Sequence, residues 1–430
     1  MSKSQLAIIS VAFVIVLFFI LVLSGFIPGL RPDVGSKSNI LIWGVYLNSE
    51  QLAPGISAFR EANPNISVTY EAKDPATYES DLINALALGT GPDIVMIHNT
   101  WLPKHINKIY PAPETIFTLK NLRELFPTVV EQDLSSAGRV FGLPLYIDTL
   151  ALFYNQSLFD AANLTSPPLT WEDFLDDVKE LKEVDKKGNI TQAATALGGS
   201  LDSINKSSDI LSLLMLQSGT KMVADDFSRA SFTDKVNNQD VGEKSFLFYT
   251  QFANPKSSYY TWNDSQGKDV NAFAEGKVAM VFNYSYLVEE LKNKNPFLSF
   301  SISKMPQLEN APLPVNYPDY WALSVLNRSP NKNNAWHLIS FLTANEQVAR
   351  NFYKISQRPP ALRSLLSECQ QDLDISSFCQ QTLTARSWPQ VDKNKISLAF
   401  SEAVKDVVQG RLSVESALRK AQDSISLLMK

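Results

Sequence analysis

The stretch ALALGTGPDIVMIHNTWL, residues 85–102, decides the class of the fold. Apolar residues at helical spacing run over 78–88 and stop at Gly89; Gly91-Pro92 supplies a turn; residues 93–97 (DIVMI) form a short apolar run with strand character. The order is helix, glycines, strand. A phosphate-binding loop needs the reverse order, a strand, then glycines, then the amino end of a helix, so these glycines read as helix stop and turn. Working outward, residues 40–43 are a second apolar run, 56–60 have helical spacing and 66–70 (ISVTY) alternate. This β-α-β-α-β order predicts a mostly parallel sheet with helices on its faces. Ligands of open α/β sheets bind beyond the carboxyl ends of the strands, which is where His98, Asn99, Thr100 and Trp101 emerge.

A second series begins at residues 150–154 (LALFY). Thr170 is the expected N-cap of a helix over 171–181 that puts Phe174, Val178 and Leu181 on one face, and residues 208–217 repeat the plan with Gly219 as stop. Strands are expected at 277–282, 300–303 and 321–326, and helices fill the last hundred residues. Glu172, Asp173, Asp176 and Asp177 at the helix start complement its dipole and read as a solvated face. DKKGN, residues 185–189, lacks the alternating acids of a calcium loop and reads as a turn. With 430 residues, 45% apolar and 19% charged, the chain is too long for one core and too hydrophobic for disorder, which implies two lobes.

Lys plus Arg number 39 against 44 acids, a net charge of −5 with no basic stripe, which argues against nucleic acid as a partner. His98, His105 and His337 have no zinc-type spacing with each other or with cysteine, so no metal and no cofactor is expected. No G-x-S-x-G elbow or H-E-x-x-H helix is present, and the chain does not read as an enzyme.

Residues 7–27 (AIISVAFVIVLFFILVLSGFI) carry no charge, and at 1.5 Å per residue they reach across a hydrocarbon layer of about 30 Å. The run is too long for a signal-peptide core and has no small-residue cleavage site, so an uncleaved transmembrane anchor is expected over residues 1–27. The tail before it holds no domain. The soluble body is therefore placed on the extracytoplasmic side of the cell membrane, behind a Pro, Gly and Ser tether at 28–38. Cys369 and Cys379 flank QQDLDISSF; in an oxidising compartment they close a local disulfide, and in a reducing one they are two small buried hydrophobes.

Six segments in order carry a family resemblance: FREANPNISVTY (59–70), ALALGTGPDIVMIHNTWL (85–102), GLPLYIDTLALFYNQSLF (142–159), PPLTWEDF (167–174), FAEGKVAMVFNYSY (273–286) and WALSVLNRSPNKNNAWHLISFL (321–342). The chain resembles the extracellular solute-binding proteins of ABC importers, in the carbohydrate-binding, maltose-binding-protein-like branch (family 1). The resemblance implies an α/β, two-lobed periplasmic-binding-protein-like fold of type II, behind the N-terminal transmembrane helix. Lobe 1 would comprise residues 39–148 plus 322–360 and lobe 2 residues 149–321 plus 361–430, with a ligand cleft closed by hinge motion. The chain would cross near 148–150, near Trp321 and near Pro359-Pro360. Two features depart from the family: the hydrophobic segment holds no cysteine for acylation, and Tyr146 stands where a smaller or polar residue is usual.

The implied function is the substrate-binding component of an ABC transporter, holding a sugar or oligosaccharide and delivering it to permease subunits. A sugar presents C–H faces for aromatic rings and a rim of hydroxyls for amides and carboxylates. On that chemistry Trp101 is a candidate platform and Asn99 a polar partner, and Asp148 a carboxylate for two hydroxyls. By the family pattern Tyr286, with Asn283, supplies the second-lobe aromatic. Tyr46, Tyr320, Trp321 and Arg358 complete the candidate set, while His98 reads as a loop or core histidine. The alternatives are a membrane-anchored glycan-processing enzyme, with Asp148 and Glu275 as its carboxylates, and a ligand sensor on the same fold.

Overall fold

The computed structural model describes residues 38–429. The chain up to Tyr110 supplies β1 (Ser38–Gly44), β2 (Ile66–Ala72), β3 (Ile94–His98) and β4 (Ile109–Tyr110). A small hairpin, β5 (Ser135–Ser136) with β6 (Arg139–Val140), precedes β7 (Leu143–Pro144). The chain then passes through β8 (Asp148–Thr149) into β9 (Ala151–Asn155), β10 (Glu183–Val184), β11 (Ile190–Thr195), β12 (Val278–Asn283) and β13 (Phe300–Ser303). It returns through β14 (Pro318–Asp319) to β15 (Trp321–Leu326).

One sheet has the order β2-β1-β3-β15-β4, with β7 also on β15; the other runs β10-β11-β12-β9-β13. Ile94 to Ile97 are all buried, which is why β3 reads as an unbroken apolar run: helices cover both faces of the sheet. The mostly parallel sheet expected from the sequence is corrected to a mixed one. β1 is parallel to β2 and β3, but β15 runs antiparallel to β3, β4 and β7. The reason is where β15 enters. The chain comes back from the other lobe at the end where β3 stops, so Trp321 lies opposite His98 and the strand must run the other way. In the second sheet only β11 and β12 are parallel.

Local chemistry sets the flanking helices. Ser49–Ala62 starts well before residue 56 because Asn48 and Gln51 form a reciprocal capping box, and Leu52, Ile56 and Phe59 then face the sheet. Tyr78–Leu88 ends at Gly89, whose φ of 74° is the left-handed conformation glycine adopts without strain. Thr170 caps Trp171–Leu181 as expected. Asp177 departs from the solvated face: it is half-buried, one carboxylate oxygen has no partner, and burial beside Asp173 and Asp176 pushes it up to about 7.

Two hydrophobic cores form, and the chain changes core at the crossings. Ile147 packs in the first and Leu150 in the second; Tyr317 packs in the second and Tyr320 in the first. β8 and β14 lie antiparallel between the cores, with Asp148 opposite Asp319. A third passage runs alongside, where the Ile147 amide donates to the Pro359 carbonyl at 3.0 Å. Beyond it Leu365 packs in the first core and Cys369, Phe378 and Cys379 in the second.

Cys369 and Cys379 are disulfide-bonded with Cα atoms 6.0 Å apart, and both are buried. Replacing both with alanine is expected to lower stability by about 3 kcal/mol, the loop-closure entropy that an eleven-residue ring removes from the unfolded chain. A urea midpoint unmoved in the double variant would show that the ring contributes nothing.

Ser38, placed in the tether by the sequence, is the first residue of β1. The expected anchor and the rest of the tether lie outside the described residues. Among the described residues no helix is long and apolar enough to cross a membrane.

Candidate functional site

Because β3 ends and β15 begins at the same edge, His98, Trp101 and Trp321 come together at the mouth between the cores. The Trp321 ring centroid is 5.0 Å from Trp101, 5.3 Å from His98, 5.6 Å from Tyr46 and 6.0 Å from Tyr78. Trp101 also stacks on Tyr78 at 6.0 Å and 19°. Edge-to-face and stacked contacts of this kind fix the rings as a rigid wall. The opposite wall follows β12: Tyr284 and Tyr286 stack at 6.4 Å, and the Lys206 ammonium sits 4.9 Å and 5.4 Å above the two rings. A cleft of about 510 Å³ lies between them.

Asp319, on the crossing strand β14, is the electrostatic centre. His98 Nε2 lies 2.6 Å from its Oδ1, Lys393 Nζ lies 3.7 Å from the same oxygen, and Lys206 Nζ lies 3.8 Å from Oδ2. Burial works to raise its pKa, but Lys393, His98 and Lys206 outweigh it and hold the carboxylate well below its ordinary range. Burial and the nearby Lys393 push His98 down, favouring the neutral ring. The Thr100 amide donates to His98 Nδ1 at 3.3 Å, which leaves the Nε2 proton for Asp319. Lys206 stays charged: burial opposes this, but Tyr286, Asp319 and Asp209 push it up.

Asp148 also lines the cleft. Its Oδ2 accepts the Ser285 amide at 2.9 Å and hydroxyl at 2.6 Å, and its Oδ1 accepts the Thr149 amide at 2.9 Å. A carboxylate offers about four acceptor sites, so about one is left for a ligand rather than the pair the sequence suggested. Burial raises Asp148 to about 7, against the lowering influence of Ser285 and Arg358. The Arg358 guanidinium lies 4.8 Å over the Tyr146 ring, and among the described residues no carboxylate is within ion-pair distance of it. At the rim Lys104 bridges Glu79 at 2.7 Å and Asp392 at 3.3 Å, joining the first lobe to the cap of the helix Lys393–Val408. His105 and Lys104 lower Glu79 to about 2 although burial opposes them.

Of the sequence candidates, Tyr46, Trp101, Asp148, Tyr286, Trp321 and Arg358 line this cleft. Asn99, Asn283 and Tyr320 do not. Asn99 Nδ2 and the Tyr320 hydroxyl both donate to Asp133, at 3.0 Å and 2.7 Å, and the Asn283 side chain accepts the Tyr284 amide at 2.9 Å. Neighbours along an extended chain point to opposite sides, so Tyr320 and Trp321 cannot both face the cleft. Glu275, considered as a catalytic partner of Asp148, pairs instead with Lys277 at 2.6 Å on the surface. The sequence reading missed Asp319, Lys206, Lys393 and Tyr284. Tyr284 and Asp319, each two residues from a named aromatic, were within reach; the lysines carry no local signal. Among the described residues no cluster of three or more His, Cys, Asp and Glu side chains is placed to hold a metal ion.

Residues 48–349 match the model of a family described as bacterial extracellular solute-binding protein. The galactooligosaccharide-binding protein of Bacillus subtilis is 23% identical over 395 residues, covering 90% of this chain and 88% of the relative. Among solved structures, the sugar-binding protein MalE from Xanthomonas citri superposes with a TM-score of 0.77 at 20% identity, over 91% of this chain and 97% of that one. A solute-binding protein of an ABC transporter from Thermotoga lettingae, bound with α-D-tagatose, gives 0.69 at 24%, over 91% and 100%.

Proposed function

Because this chain belongs to the bacterial extracellular solute-binding proteins, we propose that it is the substrate-binding component of an ABC importer and takes a sugar or oligosaccharide in the cleft. The observation that carries this reading is the pairing of an aromatic wall with an ionised carboxylate ringed by cations, in one cleft between two cores. Aromatic faces cover the C–H surface of a sugar ring; Asp319 accepts hydroxyl protons; Lys206, Lys393 and Arg358 donate to ring and hydroxyl oxygens with charge-assisted strength. Tyr46, Trp101, Asp148, Tyr286 and Trp321 complete the proposed contact set. The carbohydrates named for the relatives point the same way.

Binding groups come from both lobes, so ligand favours the closed arrangement in proportion to the contacts that only closure completes. The closed pair of lobes is then the form that docks on the permease, and no bond is broken. Residues 7–27 belong to the same proposal as the anchor that keeps the body on the extracytoplasmic side of the cell membrane.

Calorimetric titration with neutral sugars tests the reading. Trp321→Ala and Tyr286→Ala are each expected to weaken binding by about 1–3 kcal/mol, the range for losing a buried aromatic contact. Unchanged affinity in both variants would remove the site assignment, and no sugar raising the thermal midpoint would remove the sugar reading itself.

A further inference from the structure

Eight Asn-x-Ser/Thr triplets with no proline in the middle occur in the chain, beginning at Asn65, Asn155, Asn163, Asn189, Asn205, Asn263, Asn283 and Asn327. This is the acceptor pattern for N-linked glycans: the asparagine amide takes the sugar, and the hydroxyl two residues on seats the triplet in the transferase. We propose that Asn65, Asn163 and Asn189 are N-glycosylated and that the other five stay bare.

Access separates the two groups. Asn65 with Ser67, Asn163 with Thr165, and Asn189 with Thr191 are exposed at both the amide and the hydroxyl residue. Asn163 stands in the turn after the helix Gln156–Ala161 with a φ of 59°, a left-handed conformation that asparagine tolerates better than most residues. The Asn189 amide donates to Asp185 at 2.8 Å, but the pair is exposed, so water replaces that bond at little cost. By contrast Asn155 and Asn283 are buried, at 4% and 1% exposure, and a glycan on either would break the packing around β9 and β12. Ser207 and Ser329, the hydroxyl residues of the Asn205 and Asn327 triplets, are buried, and Ser329 donates to Asp93 at 2.6 Å. Asn263 is half-buried and its amide donates to the Tyr260 hydroxyl at 2.7 Å.

Topology sets the three accessible acceptors away from the cleft. The cleft lies at the carboxyl ends of β3 and β12, where His98, Tyr284 and Tyr286 emerge. β2 is parallel to β1, and β1 to β3, so Asn65, immediately before β2, is at the opposite end of the first sheet. β11 is parallel to β12, so Asn189, immediately before β11, is at the opposite end of the second. β9 runs antiparallel to β12, and Asn163 lies one short helix beyond the remote end of β9. Glycans at these points leave the ligand site clear. The Ser38 amide donates to the Asn65 carbonyl at 3.0 Å, so a glycan on Asn65 also stands beside the point where the chain enters β1.

The donor required is an oligosaccharide linked to a lipid diphosphate. The acceptor Nδ2 bonds to the anomeric carbon of the sugar, the anomeric C–O bond breaks, the lipid diphosphate leaves with the electron pair, and the amide proton passes to a base of the transferase. Transfer takes place outside the cytoplasm, in the same surroundings that favour the Cys369–Cys379 disulfide, so the proposal rests on the extracytoplasmic reading above.

The test weighs peptides of the full chain purified from the membranes of the cells that encode it. Intact cells are first labelled with an amine reagent that does not cross the membrane. Peptides holding Asn65, Asn163 and Asn189 are expected to carry the added mass of a glycan, and those holding Asn155 and Asn283 none. Asn163→Gln and Thr165→Ala, made in the same cells, are each expected to lose the glycan at that position, and Thr165→Ser to keep it, with the thermal midpoint of each variant as the check on folding. A bare peptide at any of the three positions, or a glycan on Asn155 or Asn283, in protein that takes the label overturns the glycosylation and leaves the receptor reading standing. Bare peptides in protein that the label does not reach overturn the extracytoplasmic reading and the glycosylation together.

Discussion

Asp319→Ala is expected to cost about 3–5 kcal/mol of folding stability, the penalty for removing one partner from a buried ion network. The loss comes from uncompensated charge. Lys206 and Lys393 point at a carboxylate whose side chain is only 19% exposed, so water screens little of the interaction. With that carboxylate gone, Lys393 retains Asp209 at 3.8 Å and Lys206 keeps mainly the faces of Tyr284 and Tyr286. Asp319→Asn is expected to lose less, because an amide oxygen still accepts the His98 Nε2 proton. The midpoint of urea unfolding at constant slope measures both variants. A loss under about 1 kcal/mol for Asp319→Ala would mean that the cluster behaves as a solvated surface network.

The second large effect is a dependence on pH. Asp148 titrates near 3.9 in an unfolded chain and at about 7 in the folded one, where burial disfavours its charge. The folded state therefore holds this proton more tightly. Its contribution is fully present below pH 4 and is lost as the pH rises through 7, with a full span of about 4 kcal/mol at 1.36 kcal/mol per unit. Asp133, raised by burial to about 6, and Asp177 fall in the same window, so the decline seen in the unmodified protein is a sum. Asp148→Asn isolates one share of it. Stability measured at pH 4, 6 and 8 should fall less steeply in the variant, and parallel curves would mean that Asp148 is already ionised at pH 6.

Much of this architecture was legible because it is written in local pattern. The helix stop at Gly89, the buried run of β3 and the cap at Thr170 each follow from a few adjacent residues. The candidate cleft was partly legible for the same reason: aromatic residues at strand ends announce themselves. Asn99, Asn283 and Tyr320 show the limit of that signal. Each sits beside the cleft in sequence, and only the side-to-side alternation of an extended chain, together with the buried acceptor Asp133, decides that two of them point inward. Lys206 and Lys393 were invisible for a different reason. Nothing near them in sequence distinguishes them from surface lysines, and their role arises only where helices from distant parts of the chain converge on Asp319. The direction of β15 was hidden likewise, since it depends on the lobe from which the chain returns.

That return has a consequence for synthesis. β15 fills the slot between β3 and β4, yet it is encoded after most of the second lobe. At about 5–20 residues per second, β3 waits tens of seconds on a growing chain with one edge bare. A fragment ending before Trp321 is consequently a half-sheet with an adhesive border rather than a separable lobe, and the protein becomes two bodies only once it has been made as one.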